Sequence, residues 1–137
     1  MIIAKKSLGQ NFLTDRNILE KIVNIVDIKN KIILEVGPGT GNLTSFILKQ
    51  KPKKIFVIEK DDNLAKNLNE NFGEQLTIIN DDILNIDENS LFDEKVVVFG
   101  ILAYNIYTYI LSKWIISLKD KFLKVLNYFN HIRALFY

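Results

Sequence analysis

One short run constrains this chain more than any other segment: Glu35-Val36-Gly37-Pro38-Gly39-Thr40-Gly41 sets three glycines at alternate positions. Ahead of them, Ile32-Ile33-Leu34-Glu35-Val36 reads as a short buried strand, and behind them Leu43, Phe46 and Ile47 fall on one face of a helix ending near Lys49. Glycine lets the backbone take positive φ and approach a ligand with no Cβ in the way, and the start of the following helix offers free N–H groups. A second strand, Lys54 to Ile58, ends at Glu59, 22 residues after Gly37. In dinucleotide folds an acidic side chain at about that distance accepts hydrogen bonds from ribose hydroxyls, so the pattern points to a nucleoside cofactor.

The remaining elements follow from periodicity. Thr14 is expected to cap a helix over Asp15 to Val26, where Ile18, Leu19, Ile22, Val23 and Val26 recur at helical spacing. Asp61 to Phe72 carries Leu64, Ala65 and Leu68 on one face, with Gly73 as its stop. Leu76 to Ile79 and Val96 to Phe99 are the third and fourth strands, the latter broken by Gly100, and Ile106, Ile110 and Trp114 predict a helix over about Asn105 to Leu118. Strands alternating with helices give an α/β fold with a parallel sheet of about four strands and helices on its faces. No repeat or linker divides the chain. In the tail, Phe122, Val125, Leu126, Phe129 and Ile132 predict an amphipathic helix.

Composition excludes several classes. With 48% apolar and 25% charged residues the chain is expected to form one globular domain with a core. No apolar run reaches the ~18 residues needed to span a bilayer. Lys5 and Lys6 are followed by Ser7-Leu8-Gly9-Gln10-Asn11 rather than an apolar signal core, so a cytoplasmic address without a membrane partner is expected. There is no cysteine and His131 is the single histidine, which leaves no basis for a disulfide or metal site. Charge is strongly segregated: residues 1 to 60 hold 11 basic and 5 acidic side chains, 61 to 94 hold 1 and 10, and 95 to 137 hold 6 and 1. The basic ends would suit a polyanion, although any single charge is more simply a solvated one. That plainer reading holds for Lys49, Lys51, Lys53 and Lys54, and for Lys5 and Lys6 near the N-terminus. His131, with no second ligand nearby in sequence, is expected to be a surface or half-buried residue, and Trp114, in helical register with Ile110, a core one.

The glycine spacing separates two cofactors. NAD folds carry G-x-G-x-x-G, spaced for a pyrophosphate, whereas Gly37, Gly39 and Gly41 read G-x-G-x-G, which fits S-adenosylmethionine better. Asp82, just after the third strand, then gains a role as acceptor for the amino group of the cofactor's adenine. Without the glycine motif, Asp81 and Asp82 would read as a solvated turn.

Five segments in order, Ser7-Leu8-Gly9-Gln10-Asn11-Phe12-Leu13, Leu34 to Gly41, Val57-Ile58-Glu59, Asn80-Asp81-Asp82 and Phe99 to Ile106, resemble the small-subunit ribosomal RNA adenine N6-dimethyltransferases. The resemblance covers about residues 5 to 118 and implies the N-terminal part of a Rossmann-like class I methyltransferase domain. It implies that Asn11 and Leu13 lie over S-adenosylmethionine, that Gly37 backs its methionine end with Gly39 and Gly41 in the same turn, that Glu59 holds the ribose and that Asp82 reads the adenine. It further implies two successive methylations at N6 of each of two adjacent adenines in a small-subunit rRNA loop, with the rRNA or a pre-ribosomal particle as partner. An adenine in structured RNA must be swung out and gripped at its amino edge.

The chain departs from the family at that grip. The family's Asn-(Leu/Ile)-Pro-Tyr loop reads here Ile101-Leu102-Ala103-Tyr104. Tyr104 keeps a stacking face and the Leu102 carbonyl remains, but Ile101, at the position of the family Asn, has no acceptor, and Ala103 does not fix φ as proline does. The match also stops after about Lys121. Residues 1 to 121 are therefore read as an incomplete cofactor-binding domain, and 122 to 137 as an unmatched helical tail with the family's C-terminal helical domain absent. A fourth strand left at the sheet edge would invite self-association. Three functions stay open: an rRNA adenine dimethyltransferase impaired by the loop and by truncation, a non-catalytic S-adenosylmethionine- or RNA-binding remnant, and an NAD-binding oxidoreductase fragment.

Overall fold

Asp15, Asp61 and Asp87 each stand one residue ahead of a helix and accept its first backbone N–H groups: Asp15 from Asn17 and Ile18, Asp61 from Leu64, and Asp87 from Asn89. The computed structural model describes residues 15–100, 108–110, 112–113, 122–128 and 134–136. The elements are α1 (Arg16–Val23), β1 (Ile32–Val36), α2 (Asn42–Lys49), β2 (Lys54–Ile58), α3 (Asp62–Phe72), β3 (Thr77–Ile79), α4 (Glu88–Leu91), β4 (Val96–Gly100), β5 (Phe122–Tyr128) and β6 (Ala134–Phe136). Two 3₁₀ turns, Gly73–Gln75 and Ile83–Asn85, flank β3, and residues 108–110 and 112–113 are helical.

The sheet order is β3-β2-β1-β4-β5-β6, with β1 through β5 parallel and β6 antiparallel to β5. β1 sits between β2 and β4, so the chain leaves it in one direction and later returns on its other side. In open α/β sheets that reversal makes a crevice beyond the carboxyl ends of the strands. The register places Val36 level with both Ile58 and Gly100, and Ile58 level with Ile79, so Gly37, Glu59 and Asn80 all begin at one edge.

Alternation along the strands divides the core. Ile33, Ile55, Val57, Val97 and Phe99 pack with Leu19, Ile22 and Val23 of α1 and Leu43 and Ile47 of α2. Leu34, Val36, Phe56, Ile58, Val96 and Val98 form the other layer with Ile83, Phe92 and Ile110. Phe56 and Phe92 meet edge-to-face at 5.1 Å. Strands covered on both faces are continuously apolar, which is why Val96 to Phe99 shows no polar alternation.

Several expectations shift. Asp15, not Thr14, is the first cap, because its carboxylate reaches two N–H groups, and α1 ends at Val23 rather than Val26. β3 starts at Thr77, and Gly100 closes β4 instead of breaking it. The expected tail helix is instead two strands. The apolar spacing from Phe122 to Ile132 is compatible with either period, and the open edge of β4 supplies the row of N–H and C=O groups that decides for a strand. A register shift between Val96 and Val97, opposite Phe122 and Lys124, marks a bulge at the start of this pairing. β4 is therefore interior and does not offer the edge expected for self-association; the edges are β3 and β6.

Gly41 tests the packing directly. Its φ is +89°, and a Cβ there would lie 2.5 Å from Phe72 Cε2 and 3.2 Å from Leu68 Cδ2. Gly39, at φ +58°, has nothing within 4 Å of such an atom. Gly41→Ala should thus cost about 2 to 4 kcal/mol, combining left-handed strain with overpacking, and Gly39→Ala only about 1 to 2. Urea denaturation measures both; equal losses would contradict the close α2–α3 approach.

Candidate functional site

The glycine turn is built by two backbone bonds and three positive φ angles. Gly37 N–H donates to Ile58 O at 2.9 Å and Gly41 N–H to Pro38 O at 3.0 Å, with φ of +69°, +58° and +89° at Gly37, Gly39 and Gly41. Gly41 is the N-cap of α2 and has no side chain to engage the helix's first N–H groups. The cleft over this turn is lined by Glu35 through Thr40, with Asn42 and Leu43.

Glu59 joins the turn to the end of β2. Its Oε2 accepts from Gly39 N–H at 3.1 Å and its Oε1 from Asp61 N–H at 3.0 Å, while Glu59 itself is buried. A carboxylate has about four acceptor directions, so two bonds leave two for a pair of vicinal hydroxyls. Asn80 Nδ2 donates to Glu59 O at 3.0 Å and Glu59 N–H to Ile79 O at 3.0 Å, which fixes the start of the β3 turn beside it. Asp82 caps the following 3₁₀ turn by accepting from Leu84 N–H at 3.0 Å through Oδ1, and its Oδ2 lies 3.7 Å from Lys60 Nζ.

Glu35 was not assigned a role from the sequence. It lies on the core face of the central strand, 2% exposed, and Oε2 accepts the Thr44 hydroxyl at 2.6 Å. Burial pushes its carboxyl up to about 7; the Thr44 bond opposes that rise and the Glu59 charge adds to it. The signal was present: an acidic residue interrupts an otherwise apolar strand immediately before the glycines. Thr44, Asn80 and Lys113 were likewise unassigned, and only their three-dimensional partners reveal them.

The turn therefore brings together Gly37, Gly39, Gly41 and Glu59, with Asp82 on the neighbouring loop. Asn11, Leu13, Ile101, Leu102 and Tyr104 lie outside the described residues. β4, which leads into Ile101, ends level with Val36. Among the described residues no helix is long and apolar enough to cross a membrane.

The family described as ribosomal RNA adenine dimethylase matches residues 2–129. The chain belongs to the ribosomal RNA adenine dimethylase family. The family match runs through β5, beyond the point near Lys121 where the sequence resemblance stops. A family member of Pelagibacter ubique (strain HTCC1062), ribosomal RNA small subunit methyltransferase A, is 61% identical over 119 residues, covering 87% of this chain and 45% of the relative. The protein of that name from Mesomycoplasma hyopneumoniae (strain J) is 45% identical over 125 residues, or 90% and 47% of the two chains. The chain thus spans a little under half the length of these relatives. Among solved structures, a dimethyladenosine transferase from Plasmodium falciparum aligns with TM-score 0.71 at 27% identity, over 84% of this chain and 42% of that one. The 23S rRNA methyltransferase ErmE shares the fold, with TM-score 0.75 at 24% identity over 87% and 48% of the two chains.

Proposed function

We propose that this chain is the cofactor half of an S-adenosylmethionine-dependent methyltransferase acting on N6 of two adjacent adenines in small-subunit rRNA. The observation that carries the reading is Glu59: a buried carboxylate at the switch point, tied to the glycine turn and retaining two acceptor directions for ribose hydroxyls. Family membership supplies the substrate class. The residues present fit the cofactor, because a cationic sulfonium and ammonium suit a cleft lined by Glu35, whose glycine turn is bonded to the Glu59 carboxylate.

In this reading Glu59 accepts the ribose hydroxyls, Asp82 accepts the adenine amino group through Oδ2, and Glu35 faces the methionine ammonium. Gly37 and Gly39 allow the backbone to lie against the methionine end, and Asn11 and Leu13 cover it. When bound, the sulfonium supplies a methyl group together with its own leaving group, so no metal or strong base is required. The protein's contribution is to hold the adenine N6 lone pair in line with that methyl group and to exclude water. Tyr104 supplies the stacking face and the Leu102 carbonyl one N6 acceptor; Ile101 supplies none. A ribosomal RNA partner agrees with the cytoplasmic address read from the N-terminal sequence.

The test is methyl transfer from labelled S-adenosylmethionine to small-subunit rRNA, with the nucleosides resolved by mass spectrometry. Slow formation of N6-methylated adenosine that disappears in Glu59→Ala is the expected result. Label at another base, or product formation unaffected by Glu59→Ala, would contradict the reading.

A further inference from the structure

The loop that carries Asp82 is held from outside by a lysine that neither the glycine motif nor the family resemblance singles out. Lys113 Nζ donates to Ile83 O at 3.2 Å, to Ile86 O, and to Glu88 Oε1 at 3.2 Å. An ammonium has three donors, enough to serve these three acceptors together. Glu88 is 1% exposed, and its carboxylate pairs with this cation. The carbonyls gripped are those one and four positions after Asp82, at either end of the 3₁₀ turn that Asp82 caps.

Such a turn does not hold its own shape. Its backbone bonds are Asn85 N–H to Asp82 O at 2.9 Å and Ile86 N–H to Ile83 O at 3.3 Å, its side-chain bonds come from Asp81 and Asp82 within the same loop, and short 3₁₀ segments are marginal without tertiary support. The support comes from the helical residues 108–110 and 112–113, anchored by Ile110, which is 0% exposed in the layer shared with Ile83 and Phe92. We infer that Lys113 is a positioning residue for Asp82: by clamping the Ile83 and Ile86 carbonyls to Glu88, it sets where the Asp82 carboxylate meets the amino edge of the cofactor's adenine. The inference rests on the proposed role of Asp82.

The test compares binding of S-adenosylhomocysteine with that of S-inosylhomocysteine, which has oxygen in place of the adenine amino group. The ratio of the two affinities reads amino-edge recognition and cancels general losses of the pocket. The unsubstituted chain should prefer the adenine compound by about tenfold or more, as expected for one charge-assisted hydrogen bond. Asp82→Asn should abolish the preference; if it does not, the role of Asp82 fails and the inference with it. With Asp82→Asn behaving as expected, Lys113→Met should reduce the ratio several-fold while Lys113→Arg retains most of it. An unchanged ratio in folded Lys113→Met would overturn the inference while leaving the role of Asp82 intact. Should Lys113→Met not fold, Lys113→Gln carries the same comparison, and failure of both to fold would overturn the inference by making the lysine a requirement of the fold.

Discussion

Restoring the substrate loop with Ile101→Asn and Ala103→Pro should raise the methylation rate by about 10²- to 10³-fold, the range seen when a single transition-state hydrogen bond is removed elsewhere. The amide of Asn would supply the N6 acceptor that Ile101 lacks, and proline would fix φ where Ala103 leaves it free. The effect should appear mainly in kcat, because the bond gains strength as the amine becomes nucleophilic in the transition state. Single-turnover kinetics on small-subunit rRNA measure it. No change in the double variant would mean that the loop does not limit the rate.

Glu35 gives the second large effect, through pH. Its folded value near 7 stands above the ordinary 4.5, so between those values the folded chain holds a proton that the unfolded chain has released. The sign follows from linkage: the stability tied to this group is fully present below about 4.5, falls as pH rises, and is gone above about 7, a loss of ~3 kcal/mol. Glu35→Gln, which remains neutral, should therefore match the parent near pH 4 and exceed it by ~3 kcal/mol at pH 8. Urea titrations at the two pH values measure this; a difference independent of pH would contradict it. Cofactor affinity should move the other way. A cation over Glu35 favours the carboxylate, so affinity should rise from pH 6 to 8 with release of a proton, and Glu35→Gln should lose both the affinity and its pH dependence. The position thus sacrifices stability for binding.

Much of the architecture was legible because it is local. Ile32 to Val36, Lys54 to Ile58 and Asp62 to Phe72 lie where apolar runs, period and the stop at Gly73 place them. The glycine turn was legible for the same reason: positive φ has few solutions other than glycine, and the turn stands between a strand and a helix as its flanking residues predict. The tail was not, since the spacing of Phe122, Val125 and Leu126 fits a helix, and only the bare edge of β4, a partner remote in sequence, makes a strand of it. Glu35 and Lys113 were missed for a related reason. Their meaning lies in burial and in what they touch, namely Thr44 in one case and the Ile83, Ile86 and Glu88 oxygens in the other. Glu59 could be singled out as a candidate from its distance to Gly37, but its bonds to Gly39 and Asp61, which show why a buried carboxylate is tolerated there, could not.

Calorimetric titration of the folded, monodisperse chain with S-adenosylmethionine, alongside NAD and the Glu59→Ala variant, tests the central claim most directly. The account predicts binding of S-adenosylmethionine alone, weakened at least about tenfold in the variant by loss of the ribose hydrogen bonds. Binding of NAD instead, or no heat with S-adenosylmethionine from a chain shown to be folded, would contradict it.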